Sequence, residues 1–212
     1  MRNLLFIILT GILFSGCASL QGQNKNVEQF VKKIVKTYNE KNSDKFNQLI
    51  NKNTGLFFIT TTGSNNSWSK VQSVCLDKKC PESIGIPYQS FLEGYKTGDL
   101  NLNTIEFTEQ SFFECEKIEK QGIFVSSENK FHTLSESVSF FMENSFNIIG
   151  EKLEHKKKNE LENELKTFKK IETKSRRVTV NSKSGTFIFY ITSINGKWYL
   201  SIIDFASMDC SV

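Results

Sequence analysis

Apolar residues in this chain follow two periods, one of helices and one of strands. Val27, Phe30, Val31, Ile34, Val35 and Tyr38 recur at helical spacing with Lys32, Lys33 and Lys36 between them, which predicts an amphipathic helix. Asn42-Ser43-Asp44 interrupts it and offers Ser43 as the N-cap of a second, shorter helix that buries Phe46, Leu49 and Ile50. Asn53-Thr54-Gly55 ends that helix, and Leu56 to Thr62, β-branched and aromatic, reads as a strand. Gly63 to Ser67 is turn-rich, with Trp68 as an anchor. From Cys75 to Tyr88 two cysteines, two prolines and few core residues predict a long loop, with a short helix near Ser90 to Tyr95.

The second half is more regular. Thr104 to Cys115 alternates as a strand, Glu119 to Gly122 is a turn, and Ile123 to Ser126 returns as its partner. Thr133-Leu134-Ser135-Glu136 fits a capping box, with Thr133 as N-cap, opening a helix that carries Val138, Phe141, Ile149 and Leu153. The helical pattern continues to residue 174, and Leu161, Leu165 and Phe168 keep one apolar stripe along it. Thr186 to Ile194 and Lys197 to Phe205 flank Asn195-Gly196, the strongest short-range hairpin signal because a type I′ turn needs positive φ at both residues. A two-residue turn sets Ser193 opposite Trp198, Ile191 opposite Leu200, Phe189 opposite Ile202 and Phe187 opposite Asp204. That face is apolar. The other, with Ile188, Tyr190, Thr192, Tyr199, Ser201 and Ile203, reads as mixed and half exposed.

Ahead of all this lies a leader. Arg2 gives a positive start, Leu4 to Phe14 are almost wholly apolar, and Ser15-Gly16-Cys17 closes the run. The order is that of a signal peptide, and the run is shorter than the roughly 20 residues a spanning helix needs. Phe14-Ser15-Gly16-Cys17 resembles the lipobox of bacterial lipoproteins, with Phe14 where leucine is commoner. The resemblance implies a thioether-linked diacylglycerol on Cys17, cleavage before it, an acylated N-terminus and a membrane as partner. Ala18 lacks the acidic residue that retains some lipoproteins at the inner membrane, which points to the outer membrane facing the periplasm. The chain therefore divides into a leader at 1–16, a lipidated tether at 17–26 and a single α+β domain at 27–212, with a helical segment at 134–174.

Composition narrows the function less than the leader does. Losing residues 1–16 removes one of 27 basic residues and none of the 23 acids, so the mature charge is +3; this does not point to nucleic acid. Glu151 to Arg177 holds ten Lys or Arg and six Glu. With the signs mixed, it reads as a solvated helix packed on one side. The sharper alternative is a basic face against anionic phospholipid or lipopolysaccharide.

Once Cys17 carries lipid, Cys75, Cys80, Cys115 and Cys210 form an even set, which in an exported chain suggests disulfides with three pairings open. Closeness in sequence favours Cys75–Cys80, and adjacent strands would favour Cys115–Cys210. Zinc is disfavoured, because the Cys75–Cys80 spacing is wide and no histidine lies near; Cys-x-x-Cys redox chemistry is absent.

The opening helix with Asn39 to Ser43, and the closing Phe189 to Leu200, resemble the NTF2-like (cystatin-like) fold. That resemblance implies N-terminal helices packed on a curved antiparallel sheet around a cone-shaped pocket; the charged helix before the hairpin would be an addition. Members include enzymes, binding domains and structural modules, so fold does not choose among them. Asp204, beside Phe187 on the apolar hairpin face, is the single candidate acid or base. Set against this is an acid at a strand end meeting solvent. His132 and His155 sit at a helix start and in the charged helix, outside any catalytic pattern. No zinc-protease, nucleophile-elbow, phosphate-loop or dinucleotide motif occurs, so no cofactor is expected. The first expectation is a non-catalytic binding or structural domain with an envelope protein as partner. The second is a small-molecule pocket enzyme of hydrolase, isomerase or dehydratase type using Asp204.

Overall fold

A computed structural model describes residues 22–62, 65–76, 104–110, 113–114, 117–126, 131–149, 154–183 and 185–208. The closing hairpin is its centre. β8 (Gly185–Ile194) and β9 (Lys197–Asp204) pair antiparallel through Asn195 and Gly196, both at positive φ (51° and 76°) as a type I′ turn requires. Around them lies a seven-stranded sheet in the order β2-β1-β9-β8-β7-β6-β3. The other strands are β1 (Leu56–Thr62), β2 (Asn65–Val71), β3 (Ile105–Phe107), β6 (Gly122–Val125) and β7 (Ser175–Ser182). β4 (Phe113–Glu114) and β5 (Lys117–Ile118) form a separate two-stranded ladder.

The fold is α+β on a curved, open sheet, but the sheet is mixed where an antiparallel one was expected. β1 runs parallel to β9, and β3 parallel to β6. The expected strand from Thr104 to Cys115 is broken after Phe107. β6 lies beside β3 in the same direction, with Ile105 opposite Ile123 and Phe107 opposite Val125. β2 occupies a stretch read as turn and loop.

Helices cover both faces. On one, α1 (residues 22–39) and α2 (Ser43–Asn47) place Val27, Val31, Ile34, Tyr38 and Phe46 against Phe187, Phe189, Ile191, Leu200 and Ile203. On the other, α3 (Thr133–Ile149) and α4 (His155–Glu172) place Leu134, Val138, Leu161, Phe168 and Ile171 against Phe57, Ile59, Ile188, Tyr190 and Ile202. The second hairpin face is therefore core; Ile188, Tyr190, Thr192 and Ser201 are buried. The Leu161–Leu165–Phe168 stripe is the apolar surface that covers it.

Element boundaries carry further corrections. Residues 22–26, within the expected 17–26 tether, are helical, and Asn24 accepts a hydrogen bond from Arg176 Nη1 at 3.0 Å. α1 ends in a Schellman motif. Lys41 takes positive φ (51°), its N–H donates to Tyr38, and the Asn42 N–H donates to Thr37. The N-cap of α2 is Asn42, whose Oδ1 accepts the Lys45 N–H at 2.9 Å. Ser43, the residue expected there, accepts instead from the Leu76 N–H at 2.8 Å. The 134–174 segment comprises two helices, and Arg176 and Arg177 belong to β7. The short helix expected near Ser90 lies outside the described residues.

Candidate functional site

A β-bulge decides where Asp204 sits. Ile191 faces Leu200 as the turn dictates, but Tyr190 faces Ile202, leaving Ser201 as the extra residue. The slip passes every later side chain of β9 to the opposite face. Ile203, not Ile202, now faces Phe189, and Asp204 leaves Phe187 for the Tyr190 side. Ser201 is held by its own hydroxyl, which donates to the Tyr190 carbonyl at 3.1 Å, and by Thr192 Oγ1. Ser175 Oγ extends this buried row of hydroxyls to 2.6 Å from Thr192 Oγ1.

Asp204 is wholly buried, not at a solvent-facing strand end. Its Oδ2 accepts from Tyr190 Oη at 3.2 Å and Ser207 Oγ at 2.7 Å, and its Oδ1 from the Ser207 N–H at 2.9 Å. Burial, and then the neighbouring Asp204 charge, push the Tyr190 phenol far above the ordinary tyrosine range. These bonds tie the end of β9 to the short 3₁₀ turn Ala206–Met208. Asp204 lines none of the grooves described below.

A second buried carboxylate was not anticipated. Glu172, the last residue of α4 and 1 % exposed, accepts from the Leu134 and Ser135 N–H groups at 2.8 and 3.1 Å. It caps α3 from 38 positions away. Its other oxygen has no hydrogen bond and stands 3.8 Å from His132 Nδ1. Burial raises its carboxyl above the ordinary glutamate range, against the pull of the Ser135 and Leu134 bonds and of His132. The expected capping box is replaced. The Glu136 N–H donates to the His132 carbonyl, and Thr133 Oγ1 lies 3.5 Å from Tyr190 Oη.

Two grooves among the described residues lie on either side of the Asn195-Gly196 turn. One groove, of about 380 Å³, is lined by Lys70, Lys170 and Lys174 over an apolar floor of Phe57 and Ile171, with Thr54, Thr167 and Thr192 among its polar groups. Gly55 shapes its rim. A Cβ there would meet Lys70 Cε and the Val71 carbonyl oxygen, each at 2.8 Å. A second groove of about 460 Å³ lies on the opposite face, between α1, the end of α2 and the turn, with Phe30, Lys33, Lys197 and Trp198 in its wall. Neither lining contains a carboxylate, imidazole or thiol. Such walls hold anions by charge and hydroxyl donors and apolar groups by contact.

Cys75 is disulfide-bonded to a partner outside the described residues. Cys17, Cys80, Cys115 and Cys210 also lie outside them, with the pairings Cys75–Cys80 and Cys115–Cys210. His155 Nδ1 sits 3.1 Å from Asn159 Nδ2 on the exposed side of α4. Among the described residues no group of three His, Cys, Asp or Glu could hold a metal, and no helix is long and apolar enough to cross a membrane. No protein-family model, curated protein or solved structure matches the chain.

Proposed function

We propose that this chain is a lipid-anchored protein of the bacterial envelope, tethered through Cys17 and facing the periplasm from the outer membrane. Its α+β domain binds a ligand or partner without transforming it. The observation that carries the binding reading is the chemistry of the two groove linings, which bring five lysines together with Phe30, Phe57, Ile171 and Trp198. Asp204, on which a pocket enzyme would depend, has both oxygens engaged in structural bonds. An NTF2-like plan is supported by α1 across one face of a curved sheet and by the closing hairpin. The α3–α4 pair on the other face and the two parallel pairings are additions to that plan.

The anchor is tested by growing cells with labelled palmitate. Label and membrane fractionation are expected for the native chain and lost for Cys17→Ser, and equal label on both would end the lipoprotein reading. The binding reading is tested by pull-down from detergent-solubilised envelope, with a charge-removed Lys70→Gln/Lys170→Gln/Lys174→Gln chain as control. Recovery of the same envelope components by both chains would remove the groove from the function.

A further inference from the structure

The two grooves share one end of the domain, and it is the end where the chain emerges from its leader. Asn26 and Phe30 of α1 line the groove that holds Lys33 and Lys197; across the Asn195-Gly196 turn lie Lys70, Lys170 and Lys174. All five lysines are exposed, and none is in an ion pair among the described residues. Arg176, its guanidinium 5.7 Å from the Trp198 ring centre, adds a sixth cation and reaches Asn24. Of the neighbouring acids, Glu28 is held by Lys32 at 2.5 Å, and Glu109 stands against Arg176. Phe30 and Trp198 are half-buried among these charges, the amphipathic position aromatic rings take at a membrane–water boundary.

Chain length adds the second constraint. Cys17 precedes Gly22, the first described residue of α1, by five residues, a span of at most about 17 Å. A lipid on Cys17 therefore holds this end, and no other, near the headgroups. We propose that the end formed by the β8–β9 turn, the start of α1 and the close of α4 is a docking surface for an anionic bilayer. Lys70, Lys170 and Lys174 meet the headgroups on one side of the turn, and Lys33 and Lys197 on the other. The lipid supplies the tether, and the lysines set the orientation. The placement rests on the lipid-anchor reading, whereas the surface itself is testable without lipid.

The test uses the mature chain from residue 17 with Cys17→Ser, so that no acyl chain contributes, sedimented with phosphatidylcholine vesicles with and without phosphatidylglycerol. Binding is expected only to the anionic vesicles and is expected to weaken as salt shortens the Debye length. Lys70→Gln/Lys170→Gln/Lys174→Gln is expected to lower the partition constant about fivefold per lysine, roughly a hundredfold in all. Lys156→Gln/Lys157→Gln/Lys158→Gln, with the same charge change at the far end of α4, about 20 Å away, is expected to lower it far less. Circular dichroism confirms that both variants fold, since all six positions are exposed. No binding to anionic vesicles at low salt overturns the proposal. So do equal losses from the two triple variants, or saturable binding of inorganic phosphate without vesicle binding, which assigns the grooves to a soluble anion. Vesicle binding without palmitate label on Cys17 ends the anchor and keeps the surface; label without vesicle binding does the reverse.

Discussion

Glu172 gives the sharpest test of how the second helical layer is held. Glu172→Ala leaves the Leu134 and Ser135 N–H groups buried and unpaired. A buried donor without a partner costs about 1–3 kcal/mol, and loss of a helix N-cap about 0.5–2 kcal/mol. These describe the same bonds by two routes, so a loss of about 3 kcal/mol is expected for the pair. In a domain of this size that lowers Tm by roughly 6–12 °C. Glu172→Gln keeps an acceptor for both N–H groups and removes a charge that burial disfavours, so it is expected to stay near the native stability. The pH dependence has a definite sign. With the folded carboxyl raised above the ordinary glutamate value of 4.5, the folded state binds the proton more readily than the unfolded state between the two values. Stability then falls as pH rises through that window, and the full benefit is present below 4.5. Urea unfolding followed by circular dichroism at a series of pH values should show the native chain gaining on Glu172→Gln as the solution is acidified. If Glu172→Gln is as damaging as Glu172→Ala, or if the difference from native is flat with pH, the reasoning about this carboxylate is wrong.

Two glycines at positive φ should respond differently to alanine. Gly196→Ala has open space around the new Cβ and should lose only the left-handed backbone penalty, about 1 kcal/mol. Gly55→Ala also meets a backbone carbonyl at 2.8 Å and should lose clearly more in the same denaturation assay. Tyr190→Phe removes the hydroxyl on buried Asp204 and should cost about 1–3 kcal/mol by calorimetry. Because the native phenol is held far above the ordinary tyrosine value of 10.0, the folded state keeps its proton where the unfolded state loses it. Native stability should therefore fall as pH rises past 10 more steeply than that of the Phe variant.

How much of this was legible in the sequence varied with the range of the cause. Asn195-Gly196 fixed the closing hairpin and its first pairs, and Leu56–Thr62 was a strand to the residue, because those signals are local. The register failed only past Ser201. The adjacent apolar pair Ile202-Ile203 was the available hint that a face was about to switch. β2 was missed because its opening residues, Asn65-Asn66-Ser67, have the composition of a turn. The cap on α3 came from Glu172, which no local motif connects to Leu134. The basic end was hidden for the same reason. Lys70, Lys170 and Lys197 belong to three separate elements and converge only when β2, α4 and the turn meet.

The parallel β1–β9 pair has a consequence for the order in which the domain can form. Phe57 pairs with Ile202, 145 residues later, so among the described strands the β1–β2 hairpin joins the sheet through β9. Until then β1 and β2 are an isolated two-stranded ribbon, which is marginal in water, and α1 has no β8 or β9 to cover. Assembly must wait for β9 and should be slow, as expected where many contacts join distant parts of a chain. Loss of a few residues before Asp204 would strand the N-terminal third along with the tail. A chain that stays open until its last strand arrives is also one that can be threaded through a narrow pore before it folds.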